Sequence, residues 1–151
     1  MRLTAFTDYS LRVLIYLANV PEGRATIAEI ARAFDISEDH VMKVVHLLGQ
    51  AGVLQNTRGR GGGVRLARPA RDIVVGDVVR LTEHQAVLAE CFDRKTNTCA
   101  LAGGCTLQRA LGKALDAFYG VLDTYSVADL HVGPRQFGRL ARRASYLSAK
   151  L

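Results

Sequence analysis

The chain lacks any long uninterrupted apolar run, and its opening stretch, MRLTAFTDYSLRVLIYLANV, mixes charges and hydroxyls into the hydrophobic positions. That pattern suits neither a secretory signal nor a membrane span, so a cytoplasmic protein with no membrane partner is expected. Acid is in the minority: 14 Asp and Glu stand against 20 Lys and Arg, giving a net charge of +6 and a pI near 9.6. Such an excess suits a polyanionic partner, although charge alone only makes non-specific binding easy. Catalytic constellations are also missing. There is no Ser-His-Asp order and no paired-carboxylate motif, and His40, His46, His84 and His131 are scattered, so no enzyme is expected. Cysteine is absent except at Cys91, Cys99 and Cys105. An odd count in a chain without a mark of secretion argues against a disulfide framework.

What is present begins with helical periodicity. Phe6, Val13, Leu14 and Leu17 place a first helix over residues 3–19, closed by Pro21 and Gly23. Thr26 with Glu29 three positions later forms a capping-box signature, and Ile30, Ala31 and Phe34 continue on one face of a short second helix. Asp35-Ile36-Ser37 interrupts it. Ser37 is a good N-cap for a third helix, where Val41, Val44, Val45 and Leu48 recur at helical spacing before Gly52 ends it. Glu38 and Asp39 suit its positive end.

Two short helices joined by a tight turn, the second amphipathic, carry the helix-turn-helix signature. Strand-like runs at 53–57 and 64–67 follow, flanking Arg58-Gly59-Arg60-Gly61-Gly62-Gly63. This is a wing: glycine lets a hairpin tip approach a surface, and Arg58, Arg60, Arg65 and Arg68 bring charge for phosphate or a narrow minor groove. No Gly-Lys-Ser/Thr ending is present, which sets nucleotide cradling aside. Ser37, Glu38, Asp39, His40 and Lys43, around the start of the third helix, are the candidates for major-groove contact, with Arg58, Arg60 and Arg65 on the backbone or minor groove. The expected partner is double-stranded DNA carrying a palindromic operator.

A fourth helix is expected over 75–89. It leads into ECFDRKTNTCALAGGC, which holds all three thiols, with Asn97, Gly103 and Gly104 as turn-formers. Three thiolates select zinc, copper(I) or an iron-sulfur cluster over hard cations, and the spacing is not the Cys-x-x-Cys pairing of a structural zinc site. Ordinary buried cysteines are the bland alternative. Next, Leu111, Leu115, Phe118, Leu122 and Tyr125 recur at spacings of four, three, four and three. That stripe predicts a homodimer helix, with packing on its own domain as the alternative. The segment 131–151 carries Arg135, Arg139, Arg142, Arg143 and Lys150 without any acid, and reads either as a basic amphipathic helix or as a solvated tail. The fold class is therefore mainly α with a small β-hairpin wing: a winged helix-turn-helix over 1–75, a ligand loop and dimerisation helix over 76–130, and a basic tail.

The segments FTDYSLRVLIYLA, SEDHVMKVVHLLGQAGVL and RGRGGGVRLARP, followed by a cysteine trio and a long helix ending in YSVADL, resemble the Rrf-type winged-helix regulators, nearest to their nitric-oxide-sensing repressors. The resemblance covers about residues 1–130. It implies a homodimeric repressor with one 4Fe-4S cluster per subunit, Cys91, Cys99 and Cys105 as ligands, and nitric oxide as the signal. It also implies that Asp8, which by position alone is an acid suited to the helix dipole, is a fourth ligand given to the partner subunit's cluster. A sister branch uses a histidine after its third cysteine for a 2Fe-2S site, whereas this chain has Thr106-Leu107-Gln108 there. A zinc-stabilised or redox-sensing 2Fe-2S regulator of the same family is the alternative reading.

Overall fold

The computed structural model describes residues 2–57, 59, 62–83, 88–93 and 95–145. Helix α1 spans Ala5–Asn19, capped by the Thr4 hydroxyl accepting from the Thr7 amide. Strand β1 (Arg24–Ala25) precedes α2 (Ile27–Phe34), and the expected capping box is formed: the Thr26 hydroxyl accepts from Glu29 N at 3.2 Å while the Glu29 carboxylate accepts from Thr26 N at 2.7 Å. Asp35 then adopts a left-handed conformation (φ 57°), which stops α2 and turns the chain into the Ser37 cap of α3 (Glu38–Gln50).

Strands β2 (Leu54–Thr57) and β3 (Gly63–Leu66) form the expected hairpin, in a register that pairs Leu54 with Leu66 and Thr57 with Gly63. The sheet has a third strand that periodicity does not reveal. β1 pairs antiparallel with β3, so the order is β1-β3-β2. A two-residue strand contains too little pattern to read. Gly63 is needed at this junction, because a Cβ there would lie 2.9 Å from the Ala25 carbonyl oxygen.

Helix α4 (Val75–Thr82) is shorter than the expected 75–89. The Thr82 hydroxyl bonds back to the Val78 carbonyl at 2.9 Å, and Glu83 is the C-cap, its N–H still donating to Val79 O at 2.8 Å while its carboxylate bonds elsewhere. A 3-10 turn at Glu90–Phe92 opens the cysteine loop, and α5 (Thr106–Leu122) follows it. The chain then returns to the base of α4: Val127 N donates to Ile73 O at 2.8 Å and Val75 N to Tyr125 O at 2.9 Å. Beyond a 3-10 turn at Val127–Asp129, residues 134–145 form α6 (Pro134–Ser145), which settles the helix-or-tail alternative for that stretch.

One core joins these elements. Val13, Leu14 and Leu17 of α1 meet Ile30 of α2, Val41, Val44, Val45 and Leu48 of α3, and Val78 of α4. Every one of the four α3 positions expected inside is buried. Helix α5 is the exception, with no buried residue along its whole length.

Candidate nucleic-acid interface and metal centre

The start of α3 presents Ser37, Glu38, Asp39, His40 and Lys43 to solvent, as expected, because its valines and Leu48 occupy the opposite face. Two of these side chains are already engaged. His40 Nδ1 lies 2.8 Å from Ser37 Oγ, and its ring sits 5.6 Å from that of Tyr9 on α1. Met42, 53% exposed, shares the outward surface although sequence reasoning passes over it as an apolar residue. Its offset from the buried valines was the available signal: it sits one position after Val41 and two before Val44. On the wing, Arg65 is exposed on β3, held by Gln55 Oε1 at 3.1 Å, and stands opposite Arg24 of β1. Arg58 and Arg60 lie outside the described residues.

Asp8 occupies the first turn of α1, half-exposed, with a carboxylate oxygen 2.7 Å from Arg12 Nη2 one turn on. It lines an open cleft with Arg2, Thr4, Tyr9, Phe34 and Ile36. An exposed i,i+4 pair contributes roughly 0.3–0.5 kcal/mol, too little to prevent the carboxylate from exchanging Arg12 for a stronger partner.

Glu83, 8% exposed at the end of α4, reaches back across the chain to this same helix start. Its Oε1 accepts from Thr4 N at 2.6 Å, Thr4 Oγ1 at 2.9 Å and Thr7 Oγ1 at 2.5 Å. Burial pushes the Glu83 carboxyl up, but the hydrogen bonds from Thr7 and Thr4 outweigh it and hold the group below its ordinary value. The segment leading into the cysteine loop is thus tied to the turn that carries Asp8. No local motif announces a contact between residues 79 positions apart.

The three cysteines are free thiols, each half-buried. Cys91 lies in the 3-10 turn, where its carbonyl accepts from Gln108 Nε2 at 2.7 Å, and Cys99 N donates to Asn97 Oδ1 at 3.0 Å. Cys105 is the N-cap residue of α5. Among the described residues no three Cys, His, Asp or Glu side chains converge on one point as a metal cage. The donor set nevertheless has the chemistry of a soft-metal or iron-sulfur site: three half-accessible thiols on one loop, anchored at both ends by α4 and α5.

α5 has two apolar sides. Gln108, Gly112 and Tyr119 face the chain's own body: Gln108 bonds Cys91, a Cβ at Gly112 would sit 3.9 Å from the Phe92 ring, and the Arg80 guanidinium lies 4.5 Å above the Tyr119 ring. Arg80 also makes a bidentate pair with Asp123 at 2.7 and 2.6 Å, passing so close over Gly76 that any side chain there would collide with Asp123. Leu111, Leu115, Phe118 and Leu122 are half-buried beside that contact. The other side is open. Leu107, Ala110, Ala114, Ala117 and Val121 recur at three, four, three and four, and all are exposed, Leu107 at 65% and Val121 at 59%.

Residues 3–132 match the family described as Rrf2, iron-dependent transcriptional regulator. The chain belongs to the Rrf2 family. Among curated relatives, the HTH-type transcriptional regulator NsrR of Bacillus subtilis (strain 168) is 47% identical over 131 residues, 86% of this chain and 90% of that protein. The NsrR of Geobacillus kaustophilus (strain HTA426) is 49% identical over 86% of this chain and 89% of its own. Solved structures share the fold as well. T. potens IscR superposes with a TM-score of 0.69 at 25% identity, covering 86% of this chain and 85% of its own, and CymR (YrzC), the global cysteine regulator of B. subtilis, does so with 0.69 at 26%, covering 86% and 95%. The chain is accordingly a winged-helix transcription regulator, and its relatives are regulators, not enzymes. None of the described helices is long and apolar enough to cross a membrane.

Proposed function

We propose that this Rrf2 regulator is a cytoplasmic, homodimeric repressor whose operator affinity is set by a 4Fe-4S cluster that reacts with nitric oxide. The reading is supported by the pairing of two features: an exposed α3 start in a head whose β3 also exposes Arg65, and three half-buried thiols in the loop that follows α4, whose end Glu83 ties to α1. Cys91, Cys99 and Cys105 hold the cluster, and Asp8 of one subunit supplies the fourth ligand to the other. The open cleft around Asp8 is the side from which a partner's loop would approach. When bound, the cluster supplies an iron whose oxygen ligand is more readily displaced than a thiolate, giving nitric oxide a point of entry.

The chain's own residues convert that chemistry into a change at DNA. Releasing Asp8 returns it to Arg12 and frees the first turn of α1, whose Tyr9 ring packs on His40 at the α3 start. Ser37, Glu38, Asp39, His40 and Lys43 meet base edges and backbone in the major groove, with Met42 suited to a thymine methyl. Arg58, Arg60 and Arg65 meet phosphate or the minor groove. Two copies joined along the open α5 stripe present two such heads to a palindrome, half-sites about one or two helical turns apart.

Anaerobic purification with iron and sulfide quantification, followed by absorption spectra and operator binding before and after nitric oxide, tests the reading. A brown protein with about four irons per chain that releases its operator on addition of nitric oxide is expected. A colourless dimer with stoichiometric zinc and nitric-oxide-independent binding would replace it with a zinc-stabilised regulator.

A further inference from the structure

We propose that α6 is a second DNA-contacting element, gripping phosphates in the duplex that flanks the operator half-site. The inference rests on the DNA-binding reading above. Residues 134–145 lie beyond the 3–132 segment shared with the family, yet they are built into the head. Phe137 packs on Tyr16 with ring centroids 5.7 Å apart, Ala144 is buried in the core, and Arg32 of α2 donates from Nε to the Ala144 carbonyl at 2.8 Å. This fixes the helix along α2. In a helix-turn-helix the helix preceding the recognition helix crosses the DNA backbone, so an element on its flank is adjacent to the next phosphates along the duplex.

The exposed face has the matching chemistry. Arg135, Arg139 and Arg142, at i, i+4 and i+7, lie opposite Phe137, Leu140 and Ala144, Arg143 lies on the flank of that face, and all four are exposed. No acid occurs on α6, and none of the four arginines is ion-paired among the described residues. Twelve residues extend about 18 Å, long enough to follow several phosphates along one strand. A row of guanidiniums without an acid partner among the described residues, on a helix packed along α2, fits a regularly spaced polyanion better than a mixed-charge protein surface.

The test uses the anaerobically purified dimer and two duplexes carrying a palindrome selected by the wild-type protein from a random-sequence library. One duplex ends at the palindrome and the other continues about one helical turn on each side. Wild type should bind the longer duplex about tenfold more tightly at moderate salt, with a log K against log salt slope steeper by about 2, corresponding to at least one added phosphate contact per subunit. R139A/R142A/R143A should lose that gain while retaining the wild-type affinity for the short duplex, and R139K/R142K/R143K should restore most of it. Equal gains in wild type and the alanine variant, or no gain in either, would overturn the proposal and leave the repressor reading standing. Failure of the library to yield any sequence would sink both. Retention of wild type by phosphatidylglycerol vesicles, with no preference for the longer duplex, would assign the arginines to a lipid surface instead.

Discussion

The head of the molecule, α1 to α4 with the wing, shares one core to which Val127 and Ala144 also contribute, whereas no described residue of the limb formed by the cysteine loop and α5 is fully buried. In the head, valines and leucines from four helices share one core, and side-chain caps at Thr4, Thr26 and Ser37, the second within a capping box, satisfy the starts of α1, α2 and α3. In the limb, a 17-residue helix carries an exposed apolar stripe and leads from three thiols with no partner of their own. An apolar helix face in water at that length is not self-sufficient. The head is thus specified by this chain alone, while the limb is specified for what it meets. Arg80 of the head meets the limb at Asp123 and at the Tyr119 ring, and Glu83, at the end of α4 where the chain leaves for the limb, is tied to Thr4 and Thr7.

Head and limb should separate most visibly at the thiols. Cys99→Ala should remove the cluster and abolish specific operator binding, yet leave the helical signal and unfolding midpoint of the head nearly unchanged; a large drop in helicity would show that head and limb fold as one. At the open stripe, Val121→Asp or Ala114→Asp places a charge where a second helix must pack, and sedimentation should show monomers, since stranding a charge in a seam costs about 3–5 kcal/mol. A stable dimer in both variants would move the interface elsewhere, to the half-buried Leu115 and Phe118 side or off α5 altogether.

The link between the regions is the next target. Glu83→Ala removes the acceptor shared by Thr4 N, Thr4 Oγ1 and the buried Thr7 hydroxyl, which keeps only its bond to Thr82 Oγ1, and should lower stability in urea unfolding by about 1–3 kcal/mol. Because Glu83 is held below its ordinary value of 4.5, its contribution is fully present above that pH and disappears as pH falls through the lower folded value. Wild type should therefore lose stability more steeply than Glu83→Gln on acidification below about 4.5. Coincident pH profiles would show that the carboxylate does not tie the regions. The smallest effect belongs to the wing: Arg60→Ala should weaken binding to all sequences alike and flatten the salt slope by about 1 for each phosphate it no longer neutralises, and an unchanged slope would take Arg60 off the phosphates.

Most of the head was legible because its signals are local. The Thr26–Glu29 box, the Ser37 cap and the α3 valines lie within one or two turns of each other, and the structure contains them as read. What escaped depends on distance or on small size. β1 is two residues long, Glu83 at the end of α4 bonds a turn nearly eighty residues earlier, and the packing of α6 depends on Tyr16 and Arg32. The α5 stripe shows how periodicity can be right and incomplete. Leu111, Leu115, Phe118 and Leu122 do share a side, but they flank the contact with α4 and the cysteine loop, and the exposed apolar stripe is made mostly of alanines that a search for large apolar residues ranks second.

Asp8 is where the two regions would meet across a dimer, so the coupling of cluster to DNA stands or falls on it. The measurement is anaerobic titration of a labelled operator with cluster-quantified wild type and Asp8→Ala, with nitric-oxide absorption traces on the same samples. If Asp8 is the fourth ligand, Asp8→Ala remains a folded dimer and retains a cluster on its three cysteines, but shows an altered spectrum, a changed reaction with nitric oxide and weaker operator binding. A helix-dipole acid would behave otherwise: its removal should cost about 0.3–1 kcal/mol of stability and leave both assays alone. If the wild-type and Asp8→Ala curves overlay in binding and in nitric-oxide response, Asp8 is not a ligand, and the route from cluster to recognition helix through α1 is wrong.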